Sequence, residues 1–289
     1  MGAEERWTDE AILRESERWV HVPWDGTCLE DERRLLVYLS GRWGMSRVWR
    51  TRAADESVAG RIIEETTREV LGAGGGRIVW HTGDRIAPPF MDECLAGHGF
   101  EMTEELDVLA FVLKDDSGPR LPWLGVPGGV NVGPVHDARV IREVLGVDSE
   151  VFGAPSPSVG EIAEYAGELE KLGRLERGES LGHGASLALR FAASVDVVPE
   201  HKRDDSRSVI AAAGSQLVGE TLRLWGAATR KEFRGRGAYK ALVLERCRVG
   251  KDLGATLAIT KANVATSSSI LKRAGFRRVG TERRHILEI

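Results

Sequence analysis

LRLWGAAT (222–229), RKEF (230–233), RGRGAY (234–239) and KALVLERC (240–247) follow one another without a break. The pattern predicts an apolar strand, a short charged turn, a glycine-arginine loop and an amphipathic helix. Tyr239, Leu242, Val243 and Cys247 recur at helical spacing and give that helix one apolar stripe. The loop opens the helix, where unbonded backbone N–H groups and the helix dipole favour an anion. Gly235 and Gly237 let the backbone approach a ligand closely. Arg234 and Arg236 add charge and fork-shaped donors. These residues describe a diphosphate-binding loop. A dinucleotide fingerprint would need a third glycine, but position 240 is Lys, and no acidic residue follows at the expected distance. A solvated loop without a ligand is the plain alternative.

Arg234-x-x-Gly237 after a strand ending Ala228-Thr229 resembles the acyl-CoA signature of the GNAT N-acetyltransferase superfamily, Gln/Arg-x-x-Gly-x-Gly/Ala. Tyr239 stands where Gly or Ala is usual. Ser267 to Phe276 resembles the family's second motif, a short helix closing on Gly-Phe, with a strand between the motifs at Ala255 to Thr260. The resemblance implies acetyl-CoA as acyl donor, with no metal. It implies cofactor contacts from the backbone of Ala227, Ala228 and Thr229, from Arg234, Gly235, Arg236, Gly237, Ala238 and Tyr239, and from Asn263. Close packing on a helix accounts equally for the small residues at 226–228, and a solvated loop for Asn263. The usual tyrosine general acid falls at Leu271, so the standard acid is missing here. Water or the Tyr239 hydroxyl could substitute, although Tyr239 also lies on the apolar stripe.

Glu220 is the candidate general base, since relatives carry a carboxylate on the strand leading into the loop. It shares strand parity with Leu222 and Leu224, and burial would raise its pKa. The alternative is an exposed glutamate at a hairpin end. His183, His201 and His285 are further candidates, the first two in polar loops.

Outward from that stretch, Cys94 to Phe100 (CLAGHGF) followed by a strand parallels Leu271 to Phe276 followed by a strand. This suggests an internal repeat. The expected fold class is α/β (α+β), with two tandem GNAT-like domains, each a mixed, mostly antiparallel sheet flanked by helices. The expected division is 1–116 for a degenerate first copy, 117–128 for a Gly- and Pro-rich linker, and 129–289 for the acyl-CoA domain. The first copy has no Arg-x-x-Gly loop before the helix that Asp55 caps, so it is not expected to bind acyl-CoA. The glycine run at 72–76 follows that helix instead of opening one. Strands are expected at 19–22, 34–40, 46–52, 77–81, 106–113, 186–196, 208–213 and 218–229. Helices are expected from Pro89 and from Asp137. Ser158 and Glu161 form a capping box for a third. In the resembled fold the Asp137 and Ser158 helices border the acceptor site.

Composition excludes several classes. The chain has 289 residues, a hydrophobic fraction of 42% and a net charge of -4, so nothing pulls it toward nucleic acid. Cys28, Cys94 and Cys247 lack metal-ligand spacing, and the odd count suits a reducing compartment. No apolar run is long enough to span a membrane, and the acidic N-terminus is not a signal peptide. The expectation is a cytoplasmic acyltransferase, monomer or homodimer, acting on a small-molecule or peptide amine. A non-catalytic acyl-CoA sensor is the rival.

Overall fold

The computed structural model describes residues 6–22, 26–39, 44–113, 129–153, 155–179, 186–196 and 207–289. The expected linker at 117–128, the loop carrying His183, and the hairpin tip carrying His201 lie outside them.

The chain forms two compact units. The split unit comprises Glu4–Ala110 and Lys261–Ile289; the middle unit comprises Phe111–Thr260. The division therefore departs from the expected 1–116 and 129–289. The reason is the final strand. In the split unit β1 (Thr27–Glu30), β2 (Leu35–Leu39), β3 (Met45–Trp49) and β4 (Arg77–Gly83) are followed in the sheet by β11 (Arg277–Glu288) and then β5 (Glu101–Val112). β11 is antiparallel to both neighbours, with Arg284 opposite His81 on one side and opposite Glu104 on the other. Hydrogen bonding on both edges ties residues 277–288 to the split unit.

Helices α1 (Asp9–Glu17), α2 (Glu56–Gly72) and α3 (Met91–Gly97) complete that unit. Leu36, Val48, Ile78 and Trp80 alternate onto one sheet face and pack with Ile62, Ile63 and Val70 of α2 and Leu95 of α3. Leu35, Val37, Leu39 and Trp49 take the other face. Residues 19–22 do not form the expected strand; Val20 covers this second face instead.

In the middle unit the order is β10 (Leu257–Asn263), β9 (Thr221–Thr229), β8 (Arg207–Val218), β7 (Ser186–Asp196) and β6 (Val130–Pro134). β10 enters it through residues 257–260. Helix α6 (Ala238–Asp252) packs on one face through Ala238, Leu242 and Val249. Helices α4 (Ala138–Phe152) and α5 (Val159–Glu176) meet Val209, Ala212 and Ala228 on the other. Asp137 caps α4, and Ser158 with Glu161 closes the capping box of α5 as expected. The last helix, α7 (Ser268–Arg273), lies in the split unit.

One turn moves. The expected strands at 208–213 and 218–229 leave a break from Gly214, but β8 runs through it to Val218. Gly214 pairs with Trp225, and a Cβ there would stand 2.5 Å from the indole ring. The glycine serves close approach of a ring, not a bend. The hairpin turns instead at Gly219, whose φ of 56° is left-handed.

Each unit contains one parallel pair joined through a helix: β3–α2–β4 and β9–α6–β10. The remaining pairings within each unit, among the described residues, are antiparallel. The expected class, two tandem units of mixed, mostly antiparallel sheet flanked by helices, is what the structure shows.

Candidate functional site in the middle unit

β9 and β10 pair only from Thr221 opposite Leu257 to Leu224 opposite Thr260. Beyond Leu224, β9 continues to Thr229 outside that ladder. There it carries a bulge: Trp225 and Ala228 face Gly214 and Ala212, so Gly226 and Ala227 oppose the single Ala213. Gly226 has a φ of 57°, the left-handed conformation that such a bulge uses.

The chain then makes a 3-10 turn at Lys231–Phe233 and enters the loop. The Arg234 Nε donates to the Thr229 carbonyl at 3.2 Å, and the Arg236 guanidinium lies 5.2 Å from the Phe233 ring centre. Arg230 pairs with Glu150 at 3.0 Å, which ties the turn to α4. Gly235 and Gly237 adopt φ of 78° and 83°. A Cβ at Gly235 would meet nothing within 4 Å, so glycine is required there by conformation and not by space. Gly237 is the N-cap of α6, and no side chain caps that helix. Arg234, Gly235 and Arg236 are exposed, Gly237 and Tyr239 half-buried and Ala238 buried. Among the described residues no carboxylate pairs with Arg234 or Arg236. An uncapped helix start beside two such arginines has the chemistry that suits an anion.

The other expected site residues are placed less favourably. Ala227 packs toward α6 and Ala228 toward α4, so their small size serves the two helix layers. Thr229 is half-buried. Asn263 belongs to the split unit, where its Oδ1 accepts from the Ala265 N–H at 2.9 Å and closes a turn. Leu271 is 2% exposed, a core residue of the split unit with no proton to give.

Glu220 is corrected. It sits in the turn before β9, not on the strand. Its carboxylate accepts from the Thr256 hydroxyl at 3.0 Å, and its carbonyl accepts from the Thr256 and Leu257 N–H groups. It precedes Ala227 by seven residues, roughly 23 Å of extended chain, far outside the reach of a general base acting there. Its work is to hold the start of β10.

Sequence reasoning missed a second cluster beside the bulge. Arg190 of β7 is almost wholly buried and pairs with Asp148 of α4. Its guanidinium lies 5.6 Å from the Tyr165 ring centre and 4.9 Å from that of Trp225. Burial pushes the Tyr165 phenol pKa up, against the opposing Arg190 charge. The signal was available: Arg190 is the one charge inside the run SLALRFAAS.

The split unit repeats the strand–helix–strand arrangement with different chemistry. Asp55 caps α2 by accepting from the Val58 N–H at 2.8 Å, so a carboxylate already occupies that helix start. A cavity of about 530 Å³ borders the connection before it, lined by Thr51, Arg52, Arg85 and Glu17 among others. Glu17 pairs with both arginines. His285 and Thr82 share Asp92. His81 is fully buried, stacked on Trp49 at 4.3 Å, and its Nδ1 lies 2.8 Å from Glu282. Burial lowers the His81 pKa to about 3 against the pull of Glu282, so the ring is neutral and Nδ1–H donates. Burial alone would raise the Glu282 pKa, but Lys261 at 2.5 Å, with His81 and Arg284, holds it below the usual carboxylate range.

Among the described residues no cluster of His, Cys, Asp and Glu could hold a metal ion, and all three cysteines are free. No helix among them is long and apolar enough to cross a membrane.

No protein-family model and no curated protein matches the sequence. Solved structures do match. A GCN5-related N-acetyltransferase from Sphaerobacter thermophilus aligns with a TM-score of 0.64 at 16% identity, covering 96% of this chain and 85% of that one. A GCN5-related N-acetyltransferase from Kribbella flavida gives 0.59 at 13% identity, covering 99% and 95%. A tandem GNAT protein from the clavulanic acid biosynthesis pathway gives 0.56 at 12% identity, covering 97% and 87%. With two units, each built around one parallel strand–helix–strand arrangement, the chain has the fold of the GCN5-related N-acetyltransferases.

Proposed function

We propose that the middle unit binds an acyl-CoA, most simply acetyl-CoA, at residues 234–239 and transfers the acyl group to an amine by direct attack in a ternary complex. The observation that carries this reading is the start of α6: a left-handed glycine cap, no capping side chain, and two exposed arginines. Backbone N–H groups of Ala238 and Tyr239 with Arg234 and Arg236 would hold the diphosphate. The edge of β9 from Trp225 to Thr229, outside the ladder with β10, would take the pantetheine arm as an added strand. A bound acyl-CoA supplies a thioester carbonyl for attack. The bulge at Gly226 keeps side-chain bulk away from that edge, and a backbone N–H there would stabilise developing negative charge. No tyrosine acid is needed to make a thiolate, because a thiol pKa near 8.5 makes it a fair leaving group at neutral pH.

A non-catalytic acyl-CoA sensor is the second reading. Leu271 in the core has no proton to give, and Glu220 lies in a turn well away from the bulge, which favours this reading. Titration calorimetry with acetyl-CoA tests the shared part. One binding site, lost in Arg236→Glu, supports both readings, and thiol release with an amine panel separates enzyme from sensor. No binding overturns both.

A further inference from the structure

We propose that Arg190 is the acceptor-recognising residue, and that the acceptor is an amine carrying a carboxylate, which Arg190 binds. This rests on the acyl-transfer reading of the same site and deepens it.

Arg190 is 2% exposed and sits in the centre of β7. One nitrogen, Nη2, donates to Asp148. Nε and Nη1 are buried without a hydrogen-bond partner among the described residues. Native proteins rarely leave such donors unpaired, because a buried unmade hydrogen bond to a charged group is costly. The rings of Tyr165 and Trp225 approach the guanidinium within cation–π range, so they stabilise its charge without accepting from its N–H groups. What is missing is an oxygen acceptor for these two N–H groups, and a carboxylate offers two oxygens to such a fork.

Position ties this donor to the proposed chemistry. A Cβ at Gly226 would stand 3.8 Å from Arg190 Nη1. Gly226 is the bulge residue, next to Ala227 and Ala228 on the strand edge assigned to the acyl donor. A group held at Nη1 is therefore presented beside that edge. Arg246 adds a second buried guanidinium at the same bulge, donating to the Gly214 and Trp225 carbonyls at 3.0 and 3.4 Å. Its charge and that of Arg190 act on each other unfavourably. A carboxylate between acceptor and protein would relieve both the unpaired donors and this repulsion.

Entry is through α5. Of its 18 residues only Leu172 is buried, near the C-terminal end. Glu168 anchors the same end by accepting from the Ala188 N–H at 2.7 Å. Tyr165, which covers Arg190, lies N-terminal to both anchors. The half-buried Ile162, Tyr165 and Leu169 rest on the α4 core, so the N-terminal half of α5 must part from that contact to admit a ligand. Tyr165 thus closes over a bound carboxylate.

The probes are the twenty amino acids and their carboxamides, titrated calorimetrically into the intact chain with and without acetyl-CoA, with thiol release as a second readout. The expected result is that at least one acid binds ten-fold or more tightly than its amide. Arg190→Gln should level the two while acetyl-CoA stoichiometry is kept, and Arg190→Lys should restore part of the preference. An acid and its amide binding equally, or no acid binding, overturns the proposal on the wild-type chain, whatever the variants do. Acid binding without acetyl-CoA binding leaves the carboxylate site standing and removes acyl transfer. Acetyl-CoA binding without acid binding does the reverse.

Discussion

Asp55 and Gly237 hold the same place in two copies of one strand–helix–strand unit, and they cap its helix in opposite ways. Asp55 gives its carboxylate to the Val58 N–H, while Gly237 gives no side chain at all. A helix start already satisfied by a carboxylate repels a second anion; a bare one attracts it. The expected outcome is one acetyl-CoA per chain by calorimetry. Gly237→Asp should weaken binding at least about ten-fold, or ~1.4 kcal/mol, more than Gly237→Asn, which has the same shape without the charge. Asp55→Ala should cost about 1 kcal/mol of stability and leave the stoichiometry unchanged. Two sites in the wild-type chain would contradict this account.

β11 gives a prediction about folding. Deleting residues 277–289 removes the strand hydrogen-bonded to both β4 and β5 and leaves two sheet edges inside the split unit. It also removes Glu282, the partner of His81 and Lys261. Limited proteolysis with mass mapping should then show cleavage throughout residues 44–110, with 207–260 still protected. Uniform protection would mean that the split unit closes without its last strand.

Much of this was legible in the chain. RGRG before an apolar stripe announced the loop, Asp55 and the Ser158–Glu161 pair announced their helices, and Gly-Phe after a helix announced the repeat. What failed did so for physical reasons. Gly214 reads as a turn because sequence cannot show that Trp225 will lie across it. Glu220 read as a strand residue because the true turn, at Gly219, stood one residue away. The exchange of β11 is invisible to local pattern, since a strand's partners are set by pairing across long sequence separations. Arg190 was visible as a lone charge in an apolar run, but its meaning depended on Asp148 and Gly226, which only folding brings together.

His81 makes the split unit sensitive to acid. Its folded pKa, lowered to about 3 by burial, lies below the unfolded value of about 6.5. Between those values the unfolded chain binds the extra proton, so stability is full above pH 6.5 and falls as pH drops through that window. From pH 7.5 to 5.5 the wild type should lose about 1.4 kcal/mol more than His81→Gln, in which an amide N–H can still donate to Glu282. Urea denaturation of both proteins at the two pH values measures this. Parallel losses would show that His81 is not held neutral.

Gly214 links stability to the proposed acceptor site. Gly214→Ala places a methyl group 2.5 Å from the Trp225 ring, closer than real contacts allow. The ring cannot shift freely, because it lies against Arg190 and its own carbonyl accepts from Arg246. Overpacking of this kind costs about 1–3 kcal/mol, and each kcal/mol lowers the melting temperature by about 2–4 °C in a chain of this size. The bulge carries the strain, so the consequence reaches function. If Arg190 holds the acceptor, KM for a carboxylate-bearing amine rises several-fold, while acetyl-CoA affinity, set at residues 234–239, stays within about two-fold. Calorimetry and thiol release on the same preparation separate the two effects. A loss of acetyl-CoA affinity alone would place the influence of Trp225 on the donor side of the bulge instead.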